Sequence, residues 1–328
     1  MLRHSPSQAD DESLQIELRE LADLVGVHAN SLREATRRGK FDLDRFQFRF
    51  IKRDKNTVYR VTGDHVWYLK LPVSIRERMM QRESLGIRVT SESMPYVQGY
   101  YAARAATVSM QQGYILVAEV RGLPLSRFLY LSAFRVPGFD QSGLCRVYEN
   151  LGRALAHLHN LPVQGDLIES DRGVRKTAAR WSPEDCSDQQ LRQVMELALQ
   201  KVPNDATNCL VHGNPRMDNV LVKNESISLI DFENTGTGSF YDDLSIVCSQ
   251  LEVLRALLWF PGTAPREARR LFLDEYRNEH DVDEEILLDC VAIRLVEFYR
   301  EYVRKGGRIA GIPIISRKLH ALVIEMLA

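Results

Sequence analysis

At 328 residues, 45% hydrophobic and 27% charged, the chain is long enough for two cored lobes and its composition excludes a disordered class. Its formal net charge of -1 creates no overall demand for nucleic acid or an anionic membrane. Five widely spaced cysteines (Cys145, Cys186, Cys209, Cys248, Cys290) without a C-x-x-C pair argue against a disulfide framework and a zinc site, and read as reduced, mostly core thiols.

The first residues, MLRHSPSQADDESLQ, carry early acids and no apolar segment, and no long apolar run follows. Neither a signal peptide nor a transmembrane helix is therefore expected, and the expected location is cytoplasmic. Residues 1 to 12 read as polar and loose. Ser13 is the candidate cap of a helix whose Leu14, Leu18, Leu21 and Val25 share one face.

Residues 21 to 41, LADLVGVHANSLREATRRGKF, admit two readings. In one they form a helix-turn-helix: Ala22 and Gly26 are four apart, Val27 opens the second helix, Leu32 and Ala35 pack inward, and Arg33, Arg37, Arg38 and Lys40 gather beyond. In the other, which is favoured, this region caps the lobe that follows, because an isolated motif of this kind is a weak signal.

Strand signatures begin at residue 46. FQFRFI alternates, TVYRV is β-branched and aromatic, Gly63-Asp64 is a hairpin signal, and HVWYLKL follows, so an antiparallel meander is predicted. Residues 74 to 92 are helical in composition, GYILVAEV returns to strand, and RGLPL breaks it. Beyond about residue 124 the pattern is helical, as in YENLGRALAHLHNL, where Leu151, Leu155 and Leu158 share a face and His157 and His159 read as core and surface. The exceptions are two short strands, NVLV and SISLID, and an irregular polar stretch over 160 to 188.

Between those elements lies VHGNPRMDNVLVKNESISLIDFE: a His-Gly, an Asn five intervening residues later, then an apolar run closing on Ile-Asp-Phe-Glu. Together with Lys70 in WYLKLP, Glu83 in QRESL, LGRALAHLH and the Asp243 of YDDLS, this order resembles the aminoglycoside phosphotransferase and choline kinase-like family over roughly residues 46 to 328. The resemblance implies an α+β fold of the bilobal protein-kinase kind. It divides the chain into an N-terminal helical extension over 1 to 45, a small antiparallel β-rich nucleotide-binding lobe over 46 to 118, and a larger, mostly helical catalytic lobe over 119 to 328.

The same resemblance implies site roles. Asn219 and Asp231 would be the two Mg²⁺ ligands, hard oxygen donors of the kind that metal prefers beside phosphates. Lys70 would pair the phosphates of ATP or another nucleoside triphosphate, with Glu83 as its helix partner and Glu77 as the alternative. Asn56 would lie in the phosphate-covering turn, which has no glycine here, and Ala118, Glu119 and Val120 fall where adenine would meet backbone. Asp243 would brace the loop. His212 reads as a bracing residue, Arg216 as a phosphate contact or a surface pair, and Glu284, Glu285, Glu297 and Glu301 as a solvated face or the lining for a cationic acceptor.

One position departs from the family. Asn214 stands where the family's Asp would act as general base; an Asn can still orient a hydroxyl by hydrogen bonding, and Asp218 is the candidate substitute on the same loop. Transfer of a γ-phosphate to a hydroxyl of a small-molecule acceptor is the function implied, since positioning and charge stabilisation dominate such transition states. The alternative is a catalytically impaired, nucleotide-binding pseudokinase with a scaffolding or regulatory role, DNA-linked if the N-terminal helices bind nucleic acid.

Overall fold

The structure, a computed structural model, describes residues 8–34, 39–53, 55–73, 77–103, 106–133, 136–162, 169–170, 173–179, 189–202, 209–256 and 264–304. They fall into two compact units, one formed by residues 1–95 and 102–121, the other by 96–101 and 122–328. None of the described helices is long and apolar enough to cross a membrane.

The first unit is a helix on a sheet. Strands β1 (Lys40–Leu43), β2 (Phe46–Arg53), β3 (Asn56–Thr62), β4 (Val66–Pro72), β5 (Ala106–Ser109) and β6 (Tyr114–Ala118) form one antiparallel sheet in the order β1-β2-β3-β4-β6-β5. Alternation of side chains puts Phe46, Phe48, Tyr59, Val61, Trp67, Leu69, Leu71 and Leu116 in its core. Against them lies α1 (Gln8–Glu34), whose Leu14, Leu18, Leu21, Val25, Ala29 and Leu32 are all buried. Helix α2 (Glu77–Glu92) follows β4 and meets β5.

The N-terminal expectations need correcting in two respects. Helix α1 begins at Gln8, so Ser13 is an interior residue and not the cap. It is also continuous through Gly26 and Val27, so residues 21–34 hold no turn between two helices. Gly26 marks a close approach instead: a Cβ there would meet the Gln112 side chain at 2.7 Å. Arg33, read above as part of a basic cluster, donates from Nε to Pro72 O (2.9 Å) and from a terminal nitrogen to Gln112 O and Gly113 O (both 3.0 Å). Its charge is thus spent on the end of β4 and the β5–β6 turn. Ala35, Arg37 and Arg38 lie outside the described residues.

The face that α1 presents predicts its energetics. Leu21 is fully buried, whereas Val27 is 81% exposed. Leu21→Ala should cost about 2–5 kcal/mol, and Val27→Ala less than about 0.5 kcal/mol. Urea unfolding of both variants checks this; equal losses would mean that α1 docks by another face.

The second unit contains β7 (Leu123–Pro124), α3 (Leu125–Ala133), α4 (Gln141–Asn160), α5 (Val174–Ala179), α6 (Gln189–Lys201), β8 (Cys209–Val211), β9 (Val220–Lys223), β10 (Ser226–Leu229), β11 (Gly236–Gly238), α7 (Phe240–Ala256), α8 (Ala264–Arg277) and α9 (Glu284–Arg304). Helix α4 opens at Asp140, whose carboxylate accepts from Gly143 N at 2.7 Å. It packs along α8, so closely that a Cβ on Gly152 would meet Phe272 O at 2.3 Å. Here His159 is buried and His157 only half-buried, the reverse of the sequence reading. His159 lies one turn beyond Leu155, on the face already apolar.

Short strands flank the motif. β10, β9 and β7 make one sheet, and β11 pairs with β8. Within the stretch read as irregular, residues 174–179 are helical, while 163–168, 171–172 and 180–188, which include Cys186, lie outside the described residues.

Candidate functional site

In the sheet unit, β4 runs from Val66 to Pro72 and carries Lys70 near its end, opposite Val58 on β3 and Ile115 on β6. Helix α2 brings Glu83 to it, with Lys70 Nζ donating to Glu83 Oε1 at 2.8 Å. Glu83 is buried and Lys70 half-buried, so the pair is shielded more than a surface salt bridge. Glu77, the alternative partner, sits in the first turn of α2 and accepts instead from Gln81.

Asn56 opens β3, and its Oδ1 is buried without a hydrogen-bond partner among the described residues. Ala118 pairs with Trp67 at the end of β6. Glu119 donates its backbone N–H to Val66 O (2.7 Å), and its carboxylate faces Arg60 (3.3 Å) and Arg121 (3.7 Å), so both its amide and side chain are engaged within the sheet unit. Val120 lies just past the strand.

In the helical unit, the chain leaves β8 at Val211, turns through 212–216, makes a 3₁₀ turn over Met217–Asn219 and enters β9. Gly213 makes the turn possible, with φ 75° and no room for a Cβ, which would lie 2.3 Å from Asn234 O. Asp243, fully buried on α7, accepts from His212 N (2.7 Å) and Gly213 N (2.8 Å), so one carboxylate satisfies two consecutive loop amides.

His212 is braced on both ring nitrogens. Nε2 donates to Ile230 O at 3.1 Å, and Nδ1 accepts from Asn214 N at 3.2 Å, which fixes the neutral tautomer. Burial pushes its pKa below the ordinary value, with Asp243 and Asp231 opposing the shift. The ring is therefore a strut rather than an acid or base.

That strut joins the two segments of the motif. Asn219 Nδ2 donates to Asn214 O (3.0 Å), Ile230 N donates to Asn219 O (3.0 Å), and Arg216 N donates to Asn214 O (2.7 Å). Asn214, Asn219 and Asp231 are thus brought together by a backbone frame. Asp231 adopts φ 67°, a left-handed conformation that Asp tolerates better than bulkier residues.

Asn214 is 8% exposed and its Oδ1 has no hydrogen-bond partner among the described residues. Asp218 is exposed and accepts from Ser126 Oγ at the start of α3, a clasp that sequence reasoning missed because the two residues lie 92 apart. Arg216 is half-buried. Asn234, three residues past Asp231, was also missed; it is 9% exposed and its Nδ2 is buried without a partner among the described residues, which no sequence pattern marks.

Among the described residues no cluster of three or more His, Cys, Asp or Glu could hold a metal unaided. Asn219 and Asp231 supply two oxygen donors, the number Mg²⁺ commonly takes from protein when phosphates and water complete its shell. With Nδ2 of Asn219 held by Asn214 O, its Oδ1 is the atom that could turn to a cation. The chemistry of the pair therefore fits the metal.

The acidic residues of α9 are partly committed. Glu284 pairs with Arg269 and Arg277, and Glu297 accepts from Arg294 at 3.2 Å; the side chain of Glu301 lies outside the described residues. A cavity of about 610 Å³ in this unit is lined by Leu123, Phe128, Phe139, Gly143 and Glu225 among others, and not by Asn214, Asn219 or Asp231.

The model of the phosphotransferase enzyme family matches residues 54–285. No curated protein matches the chain in sequence. Among solved structures the chain is similar to amicoumacin kinase hAmiN in complex with AMP-PNP, Ca2+ and Ami, at 16% identity and TM-score 0.59, covering 96% of this chain and 95% of that one. It is also similar to the apoenzyme of macrolide 2'-phosphotransferase MphH from Brachybacterium faecium (16% identity, TM-score 0.51, 92% and 98% covered). A third likeness is to APH(2")-IIa in a ternary complex with streptomycin and ATP (12% identity, TM-score 0.54, 85% and 92% covered). At such identities the likeness is one of fold, the bilobal α+β arrangement of protein kinases.

Proposed function

The chain belongs to the phosphotransferase enzyme family, and from that premise we propose that it transfers the γ-phosphate of ATP, or another nucleoside triphosphate, to a hydroxyl of a small-molecule acceptor. One observation carries the reading: the frame of hydrogen bonds that ties Asn214, Asn219 and Asp231 to a single braced loop. Positioning is what phosphoryl transfer asks of a protein, since there is little covalent chemistry for side chains to perform.

In this proposal Lys70, steadied by Glu83, pairs the α- and β-phosphates, and Asn219 and Asp231 hold Mg²⁺. Bound there, Mg²⁺ would neutralise charge on the transferring group. Asn214 accepts a hydrogen bond from the acceptor hydroxyl through its Oδ1, which has no partner among the described residues, and so orients the attacking oxygen. Arg216 offers a guanidinium to phosphate oxygens. Ala118, Glu119 and Val120 remain the candidates for meeting the base, and Asn56 for the phosphates.

The departure at Asn214 supports a second reading, because an amide cannot take a proton at neutral pH. In that reading the protein binds nucleotide and serves as a pseudokinase. Incubation with Mg·ATP labelled at the γ-phosphate and a panel of aminoglycosides, macrolides and hydroxylated metabolites separates the two. Label on any acceptor is the expected result. Tight Mg·ATP binding without transfer to any of them would favour the pseudokinase, and no binding would defeat both.

A further inference from the structure

The brace on the motif loop does not end at Asp243. His159, at the end of α4, approaches the same carboxylate, with Nε2 3.1 Å from Asp243 Oδ2, and both side chains are wholly shielded from solvent. Its other ring nitrogen, Nδ1, lies 2.7 Å from the hydroxyl of Tyr276 on α8. Burial raises the Tyr276 pKa, so this phenol keeps its proton, and Asp243, which already accepts from two backbone amides, takes a further hydrogen from Nε2. Nδ1 is then the acceptor, and Nε2 carries the hydrogen given to Asp243.

The hydrogen bonds form one directed series: Tyr276 O–H to His159 Nδ1, His159 Nε2–H to Asp243 Oδ2, and the two loop amides of His212 and Gly213 to the same carboxylate. Past those amides, the His212 ring carries the constraint to Asn214 N and to Ile230 O, next to Asp231. The rings around the outer end are packed: Tyr276 stacks on His280 (4.8 Å, 16°), and His280 donates from Nε2 to Ala156 O at 3.2 Å. Helices α4, α7 and α8 thereby meet at one buried polar line that ends on the loop.

We propose that His159 and Tyr276 are positioning residues for phosphoryl transfer, setting the placement of Asn214 and Asp231 through Asp243. Neither touches substrate in this account. An anchoring carboxylate held by two backbone amides alone, one on each oxygen, can still shift together with the loop it holds. The third contact, from a ring clamped between two helices, removes that freedom. Small misplacements of reacting groups are costly, on the order of 10²-fold in rate for an ångström.

The inference rests on the phosphotransferase reading for its kinetic consequence but not for its structural one, and the test separates them. An asparagine at position 159 places its amide where Nδ1 stood and loses Asp243, whereas a glutamine places its nitrogen near Nε2 and keeps it. His159→Asn, His159→Gln and Tyr276→Phe in the full chain would be compared by hydrogen exchange of the peptide covering 209–216. Rates of transfer to an acceptor, or of ATP hydrolysis if none is found, would be measured beside it.

His159→Asn should speed exchange at residues 212 and 213 and lower kcat about tenfold with KM for Mg·ATP little changed; His159→Gln should restore most of both, and Tyr276→Phe should fall between. Equal behaviour of the Asn and Gln variants, whether both intact or both impaired, would overturn the proposal. If His159→Asn fails to fold, the comparison of Tyr276→Phe with the unmodified chain decides, and unchanged exchange there would also overturn it. A chain inactive in every form, yet showing the exchange pattern, would count against the phosphotransferase reading while sustaining the positioning series.

Discussion

Asn214→Asp should raise the rate of phosphoryl transfer, or of ATP hydrolysis where no acceptor is present, by up to about 10²–10⁴-fold, the usual contribution of a general base. The residue is 8% exposed, and its backbone is already fixed by His212 Nδ1. A carboxyl introduced there is desolvated, which moves its pKa upward toward the range in which a base works best at neutral pH. The same burial, with Asp231 on the same frame, should lower the melting temperature of the nucleotide-free variant, and bound Mg·ATP should recover part of the loss. Steady-state rates for Asn214→Asp, Asp218→Asn and the unmodified chain at matched nucleotide occupancy make the measurement. Asp218 is exposed and clasped by Ser126, so its amide variant should keep its rate. If Asn214→Asp binds Mg·ATP normally and gains nothing, the site lacks more than a base.

Asp231→Ala should abolish the Mg²⁺-dependent part of nucleotide affinity. Loss of groups that merely support a metal ligand typically costs about 10–100-fold in metal affinity, and loss of a direct ligand should exceed that. Only Asn219 would remain of the proposed pair, a neutral amide with no charge to offer a dication. Titration calorimetry with ATP, with and without Mg²⁺, reads the effect, and Asp218→Ala serves as the acidic control from the same loop. Retention of full Mg·ATP affinity by the Asp231 variant would place the metal elsewhere.

The fold was legible in the sequence wherever side-chain periodicity was long enough to show. Alternation in FQFRFI marks β2, β-branched and aromatic composition in TVYRV marks β3, and the spacing of Leu14, Leu18, Leu21 and Val25 marks the buried face of α1. Strands β1 and β5 escaped because KFDL and ATVS are four residues each and only partly buried, too short for a period of two to stand out. The helix-turn-helix reading failed because a glycine within a helix was taken for a break, when it marks the place where Gln112 approaches. His159 was read as surface although its spacing of four from Leu155 sets it on the apolar face of α4, where it is buried.

The geometry of the candidate site was less accessible than the list of its candidates. The motif could be read off because its residues are close in the chain, yet the selection of Glu83 over Glu77 depends on the phase of α2 against β4, which no single sequence contains. Likewise the clasp of Ser126 on Asp218 joins residues separated by 92 positions, so only folding reveals that this acid is already engaged.

The cover that α1 gives the sheet has a consequence for biosynthesis. The helix leaves the ribosome before any of the strands it protects, and its partners include Tyr114, Leu116 and Ala118 at the far end of the unit. At roughly 5–20 residues per second, an apolar stripe from Leu14 to Leu32 must wait several seconds before β6 exists to meet it. An amphipathic helix exposed for that long is a substrate for nascent-chain chaperones and a nucleus for co-translational aggregation, so polar substitutions on this stripe should affect soluble yield through misassembly during synthesis as well as through the stability of the finished protein.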